Sequence, residues 1–265
     1  CPTLIQDDDD PHGSVVRQLR AVVGETGEVD AAAAAEQAKA KVFEYRYYPQ
    51  SCSLVETDEE PPHQMDDDAL YTTLQFCTMC EASVVDEVQV MRKGVVDGSN
   101  TSGFQRTALV GFDGKLPGDV RVANIAVEED SAKIVSRSAT KDVYTLSRLG
   151  IPLIEIGTEP DIKTPKQCKQ VAGHIGMLLR STGRVKRGLG TIRQDVNVSI
   201  TGGNRVEIKG AQDLEGMETL VEYEVMRQQQ LIELHGAFKK IKCKANLDVS
   251  DVFVNTKSKL IASSL

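Results

Sequence analysis

The chain has 265 residues, 40% of them hydrophobic and 26% charged, with a net charge of −8 at neutral pH. That balance excludes a wholly disordered chain and leaves length enough to bury a substantial core. It also excludes a surface that attracts polyanions everywhere.

No run approaches the roughly 18 apolar residues of a membrane span, and the first thirty residues lack a basic start followed by an apolar block. The expectation is a soluble, unexported, cytoplasmic protein without a membrane partner. Six cysteines are too dilute for a disulfide scaffold. Cys77 and Cys80 make a C-x-x-C on an expected helix, but no second pair follows at zinc spacing, so they read as core thiols.

In chain order, Asp7 to Asp10 form an acidic loop, and Asp30 can cap an Ala-rich helix from Ala31 to about Ala40. A Tyr-rich strand or turn spans Phe43 to Tyr48, and Pro61-Pro62 ends regular structure. A helix from Asp66 to Glu81 opens on three aspartates where its dipole favours negative charge, with Leu70, Leu74 and Cys77 as its inward stripe. Asp86 to Val96 reads as a strand, followed by the loop from Asp97 to Gly103. Thr107 to Phe112 and Val120 to Val127 are strands joined by a turn at Asp113 to Gly118. Ile151 to Ile156 is an apolar strand. Thr164-Pro165 starts a helix that Gly183 ends, its stripe being Val171, Ile175, Leu178 and Leu179.

The clearest unit follows. Ile192 to Ile200 alternates apolar and polar, Thr201 to Asn204 turns the chain, and Arg205 to Lys209 alternates again. Burying both apolar faces sets Arg205, Glu207 and Lys209 beside Arg193, Asp195 and Asn197 as one polar plate. A helix from about Leu214 to Leu234 comes next, ended by Gly236. Hairpins dominate, so the expected class is α+β, with a mixed, mainly antiparallel sheet and flanking helices.

Charge is unevenly distributed. Tyr47 to Met91 holds ten acids and no Lys or Arg, whereas Ile162 to Gln194 holds eight bases and no acid. The basic stretch, with Arg184, Lys186 and Arg187 near a Gly-rich turn, is either a solvated helix face or a phosphate-binding surface. Gly188-Leu-Gly190 lacks the third glycine and the preceding strand of a dinucleotide loop, and no P-loop is present.

Carboxylates are the remaining candidates for chemistry. Glu155 interrupts an apolar run, where a carboxylate is costly unless compensated. Glu128, Glu129 and Asp130 cluster at a strand end, and Asp195 centres the polar plate. Hard oxygen ligands on several strands describe a magnesium site, the alternative being Glu155 paired with Arg148 or Arg193 and the others facing water. The loop residues Ser99, Thr101 and Gly103, with Gln105 and Arg106 beyond, offer amides, hydroxyls and a guanidinium to an anion. Lys93 and Lys209 add ammonium charges suited to a transferring phosphoryl group.

The strings RYYPQSCSLVETDEEPPH (46–63), DGSNTSGFQRTALV (97–110), RLGIPLIEIGTEPDI (148–162) and the run from RVKRGLGTIRQDVNVSI to RVEIKGAQDLEGMETL (184–220) carry a resemblance. The chain resembles the B/E catalytic-cradle family of glutamyl-tRNA(Gln) amidotransferases, its 97–106 loop being closer to the archaeal E branch than to the B branch. The resemblance implies a glutamine synthetase-like cradle over residues 1–238, and from 239–265 the start of an aspartyl-tRNA synthetase-like insertion. It implies ATP-dependent phosphorylation of the γ-carboxylate of Glu-tRNA(Gln), then amidation by ammonia from a partner amidase, the D-type subunit, in a hetero-oligomer. ATP and Mg2+ are the implied cofactors.

Glu128, Glu129, Glu155 and Asp195 match the family's acidic metal positions. Arg193, Asn197, Glu207 and Lys209 lie in its catalytic motif, Lys93, Ser99, Thr101, Gly103 and Arg106 fall to nucleotide binding, and Arg184, Lys186 and Arg187 to nucleic acid. The family's opening G-L-E-x-H strand is missing from this chain, so the chain alone is expected to be an inactive, truncated cradle. The alternatives are a B-type amidotransferase subunit, an amide ligase or kinase acting on a free amino acid, and a non-catalytic module that binds RNA or a neighbouring subunit.

Overall fold

The computed structural model describes residues 10–18, 28–29, 31–188 and 190–240. The expected loop at Asp7 to Asp10, except Asp10, the cap at Asp30 and the insertion from residue 241 onward lie outside them. Sixteen elements follow in chain order: β1 Gly13–Gln18, α1 Ala31–Ala38, β2 Val42–Tyr47, α2 Ser53–Glu56, α3 Asp67–Met79, β3 Ser83–Val84, β4 Val90–Gly94, β5 Phe104–Leu116, β6 Val120–Glu129, β7 Lys133–Arg137, β8 Lys141–Thr145, β9 Pro152–Thr158, α4 Pro165–Ser181, β10 Val196–Val198, β11 Val206–Ile208 and α5 Met217–Lys240. The described elements form an α+β fold with one parallel pair, β2 with β8, among antiparallel ones. The chain divides into two compact units, Cys1–Thr191 and Ile192–Leu265.

The first unit contains two sheets. One runs β1-β2-β8-β7; the other runs β3-β5-β6-β9, with β4 paired beside β3 on the same edge of β5. In the second sheet α3 packs against β5 and β6, and Phe76, Cys77, Val110 and Ile125 are all fully buried. Each such large side chain contributes roughly 1.5–3 kcal/mol on burial. Asp66 caps α3 by accepting from the Ala69 amide at 2.8 Å, as its sequence position implies.

The buried face of α3 is Thr72, Thr73, Phe76 and Cys77; of the expected stripe Cys77 is buried, whereas Leu70 and Leu74 are half-buried. Thr72 and Thr73 donate to the Asp68 and Ala69 carbonyls, both at 2.7 Å, so their hydroxyls are satisfied inside the helix and their methyls pack inward. Cys77 and Cys80 are free thiols in the core, and burial pushes Cys77 up to about 11, which keeps it protonated and unreactive. Thr164 caps α4 and Pro165 occupies its first turn, as expected. Its inward face is Cys168, Val171, Gly176 and Leu179, so Ile175 and Leu178 are only half-buried.

The bounds of four strands differ from expectation. β5 runs through Asp113 and Gly114 to Leu116, so the turn is confined to Pro117, Gly118 and Asp119, with positive φ at Gly118 and Asp119. The 86–96 strand contracts to β4, and the two strands of the polar plate contract to three residues each. α5 continues past Gly236, which has no left-handed φ and therefore does not act as a helix stop.

The first sheet fixes the 97–103 loop. Tyr45 and Tyr144 stack 5.7 Å apart in a core with Phe43, Ala132 and Leu146. Their hydroxyls donate to the carbonyls of Gly98, at 2.6 Å, and Asp97, at 2.7 Å. Burial pushes both phenols up, so they remain neutral donors. Gly98 sits at φ +83°, and a Cβ there would lie 2.8 Å from the Phe43 ring.

Gly98→Ala should therefore cost about 2–5 kcal/mol, the sum of left-handed strain and overpacking. Urea denaturation should show a lower midpoint with an unchanged slope.

Candidate active site

β5, β6 and β9 lie side by side, with Thr107 opposite Glu128, Glu128 opposite Leu153 and Ala126 opposite Glu155. Because side chains alternate along a strand, Gln105, Thr107, Glu128 and Glu155 share one face, while Arg106 and Glu129 share the other. On β4, Lys93 pairs with Gln105 in register and joins the first face.

Glu128 is the most enclosed of these groups, 7% exposed. Its Oε1 accepts from Thr107 Oγ1 at 2.9 Å and from Lys93 Nζ at 3.4 Å, and its Oε2 from Gln105 Nε2 at 3.4 Å. Burial pushes the carboxyl up, but a side-chain hydrogen bond with Glu155, the Thr107 hydroxyl and the Lys93 ammonium together outweigh it. The Glu128 carboxyl is held below the ordinary glutamate range.

Two carboxyl groups in hydrogen-bond contact share a proton or a cation, since two bare anions there repel. This donor set suits magnesium, which takes one or two carboxylates and keeps water or substrate phosphate in its other positions. Among the described residues no group of three or more His, Cys, Asp and Glu side chains could hold a metal by itself. Glu128 and Glu155 offer two carboxylates, fewer than a closed protein cage needs.

The other expected site residues are placed differently. Glu155 is exposed, on a strand whose only partner among the described residues is β6, so it is not the buried charge its apolar neighbours suggest. Arg148 pairs with Asp130 at 3.6 Å. Glu129 is turned away from Glu128 and forms an ion pair with Arg106, whose guanidinium also donates to the His63 carbonyl. Glu128, Glu129 and Arg106 all border a cavity of about 470 Å³, together with Glu56, Asn100 and Thr101.

In the loop, Ser99 Oγ donates to Asp97 at 2.6 Å and Thr101 Oγ1 to the Glu56 carbonyl at 2.5 Å. Gly103, at φ +76°, donates to the Asn100 carbonyl and accepts from the Val95 amide. These hydroxyls hold the loop's shape and are not offered outward. Arg184 is likewise engaged, paired with Asp68 at 2.6 Å and lying 4.9 Å over the Tyr71 ring. Lys186 and Arg187 are exposed.

In the second unit, Asn197 lies opposite Glu207, on the face the alternation assigns to both. Lys209 reaches Glu207 at 3.3 Å and Asp195 at 3.7 Å, and these two carboxylates hold its ammonium above the usual lysine range. Asp195 also accepts from the Gly210 amide at 3.1 Å. Arg193 is exposed just before β10. The polar plate thus exists, built on a shorter ribbon. Thr107, absent from the expected site, could have been found from its parity with Gln105 on the same strand.

The family described as the GatB/GatE catalytic domain matches residues 25–260. The chain is 51% identical over 267 residues to the E-type subunit of glutamyl-tRNA(Gln) amidotransferase from Archaeoglobus fulgidus, covering 98% of this chain and 43% of that protein. It is 47% identical to the corresponding E-type protein of Methanocaldococcus jannaschii and 48% identical to that of Natronomonas pharaonis, each match covering all of this chain and 43% of the relative. It therefore spans less than half the length of these curated relatives. On the extent of the family match, the chain belongs to the GatB/GatE catalytic-domain family.

Proposed function

We propose that this chain is the catalytic domain of a Glu-tRNA(Gln) amidotransferase subunit that activates the γ-carboxylate of tRNA-bound glutamate with ATP. A γ-carboxylate oxygen attacks the γ-phosphorus and ADP leaves. Ammonia nitrogen then attacks the acyl carbon, phosphate departs with the C–O electron pair, and loss of a proton leaves the amide. Ammonia is supplied by a partner amidase of the D type. The similarity to the archaeal E-type proteins and the diagonal placement of Glu128 and Glu155 on one face of β6 and β9 support this reading, and that placement is the observation that carries it.

Glu128 and Glu155 would hold Mg2+, which when bound neutralises phosphate charge. Lys93, with a side chain 58% exposed, is placed to move from Glu128 to a phosphoryl oxygen. Thr107 and Gln105 hold Glu128 in position, and Arg106 with Glu129 braces the opposite face. Arg193, Asp195, Asn197, Glu207 and Lys209 are assigned to the same chemistry on the family resemblance. Of the cofactor-binding set, Ser99, Thr101 and Gly103 shape the loop, which leaves backbone groups as its means of meeting a nucleotide.

Glu128→Gln should lower ATP-dependent Gln-tRNA formation by at least the ~10–100-fold typical of losing a group that merely supports a metal ligand. Binding of tRNA, measured by filter retention, should be unchanged. Undiminished amidation would favour the binding-module reading instead.

Lys186→Ala with Arg187→Ala should weaken tRNA binding and reduce the slope of log affinity against log salt by about 2, about one per lost phosphate contact. An unchanged slope would show that the basic segment is a solvated helix end.

A further inference from the structure

We propose that Thr107 is a positioning residue for the Glu128–Glu155 pair, its hydroxyl fixing the plane of the Glu128 carboxylate so that the free lone pairs stay aimed at Glu155. The inference rests on the divalent-ion reading of that pair. Thr107 lies directly opposite Glu128 in the β5–β6 register. Its Oγ1 donates to Oε1 at 2.9 Å, the shortest hydrogen bond to Glu128 whose length the structure gives.

The two other donors to Glu128 cannot orient it as well. Lys93 Nζ stands at 3.4 Å at the end of a side chain that is 58% exposed. Gln105 Nε2 is also 3.4 Å from Oε2 but only 2.6 Å from the Glu129 carbonyl, so it is held mainly by the backbone. Thr107 differs from both because branching at Cβ leaves it few χ1 choices, and its donor direction is set by the strand itself. A carboxylate that meets an ion through one or two oxygens depends on such an outer partner to stay in orientation. The cross-strand bond also ties β5 to β6, so a purely structural role must be separated from positioning.

The test is Mn2+ binding in the assembled amidotransferase, followed by electron paramagnetic resonance without ATP or tRNA. Thr107→Val keeps the shape and removes the donor. It should weaken Mn2+ binding by about 10–100-fold with little change in melting temperature, and Thr107→Ser should restore most of the affinity. If valine is not tolerated beside the carboxylate, Thr107→Ala removes the same donor and should read the same way. Parental Mn2+ affinity in Thr107→Val or Thr107→Ala, with loss in Glu128→Gln, would overturn the positioning role and leave the ion reading standing. A serine variant no better than valine would also overturn it. Parental affinity in Glu128→Gln would remove the ion reading and the role of Thr107 together.

Discussion

The contact between Glu128 and Glu155 is the interaction on which the site depends. Sheet geometry permits it: the two residues occupy diagonal positions on neighbouring strands of one face, within reach of long side chains. Burying the Glu128 charge is costly unless donors surround it. Thr107, Lys93 and Gln105 supply those donors, and every one comes from β4 or β5. A shift of β5 by one residue would turn Thr107 and Gln105 to the opposite face and bring Arg106 in their place.

The same strand period divides labour across the sheet. Glu128 is paired with Lys93 on one face, while Glu129, its neighbour in sequence, is paired with Arg106 on the other. One strand end therefore carries two carboxylates, each with its own cation from β4 or β5. The Asp97 to Gly103 loop is held with comparable economy. Two neutral tyrosines from the other sheet receive its carbonyls, and its own hydroxyls close on neighbouring groups. What it can present to a phosphate is a shape held in advance, which lowers the ordering cost of binding.

Much of this was legible in the sequence, and the exceptions have physical causes. The start of α3 was readable because Asp66 is both a cap and a favourable dipole partner. That Asn197 and Glu207 share a face followed from alternation alone. The separation of Glu128 from Glu129 was equally available from the period of two, yet adjacency in sequence suggested a cluster. By contrast, the buried face of α3 was obscured because Thr72 and Thr73 look polar until their hydroxyls bond back to the helix. The exposure of Glu155 goes with β9 having a partner on one side only among the described residues, and the fate of Thr101 depends on the distant Glu56 carbonyl. Neither is encoded locally.

The most direct measurement is anomalous diffraction from crystals of the assembled enzyme soaked in Mn2+. The account predicts a peak on the Lys93 side of the sheet, within about 2.0–2.3 Å of one oxygen each from Glu128 and Glu155. A well-occupied peak at Glu129 and Arg106 instead, or none beside Glu128 in crystals that bind Mn2+ elsewhere, would contradict it.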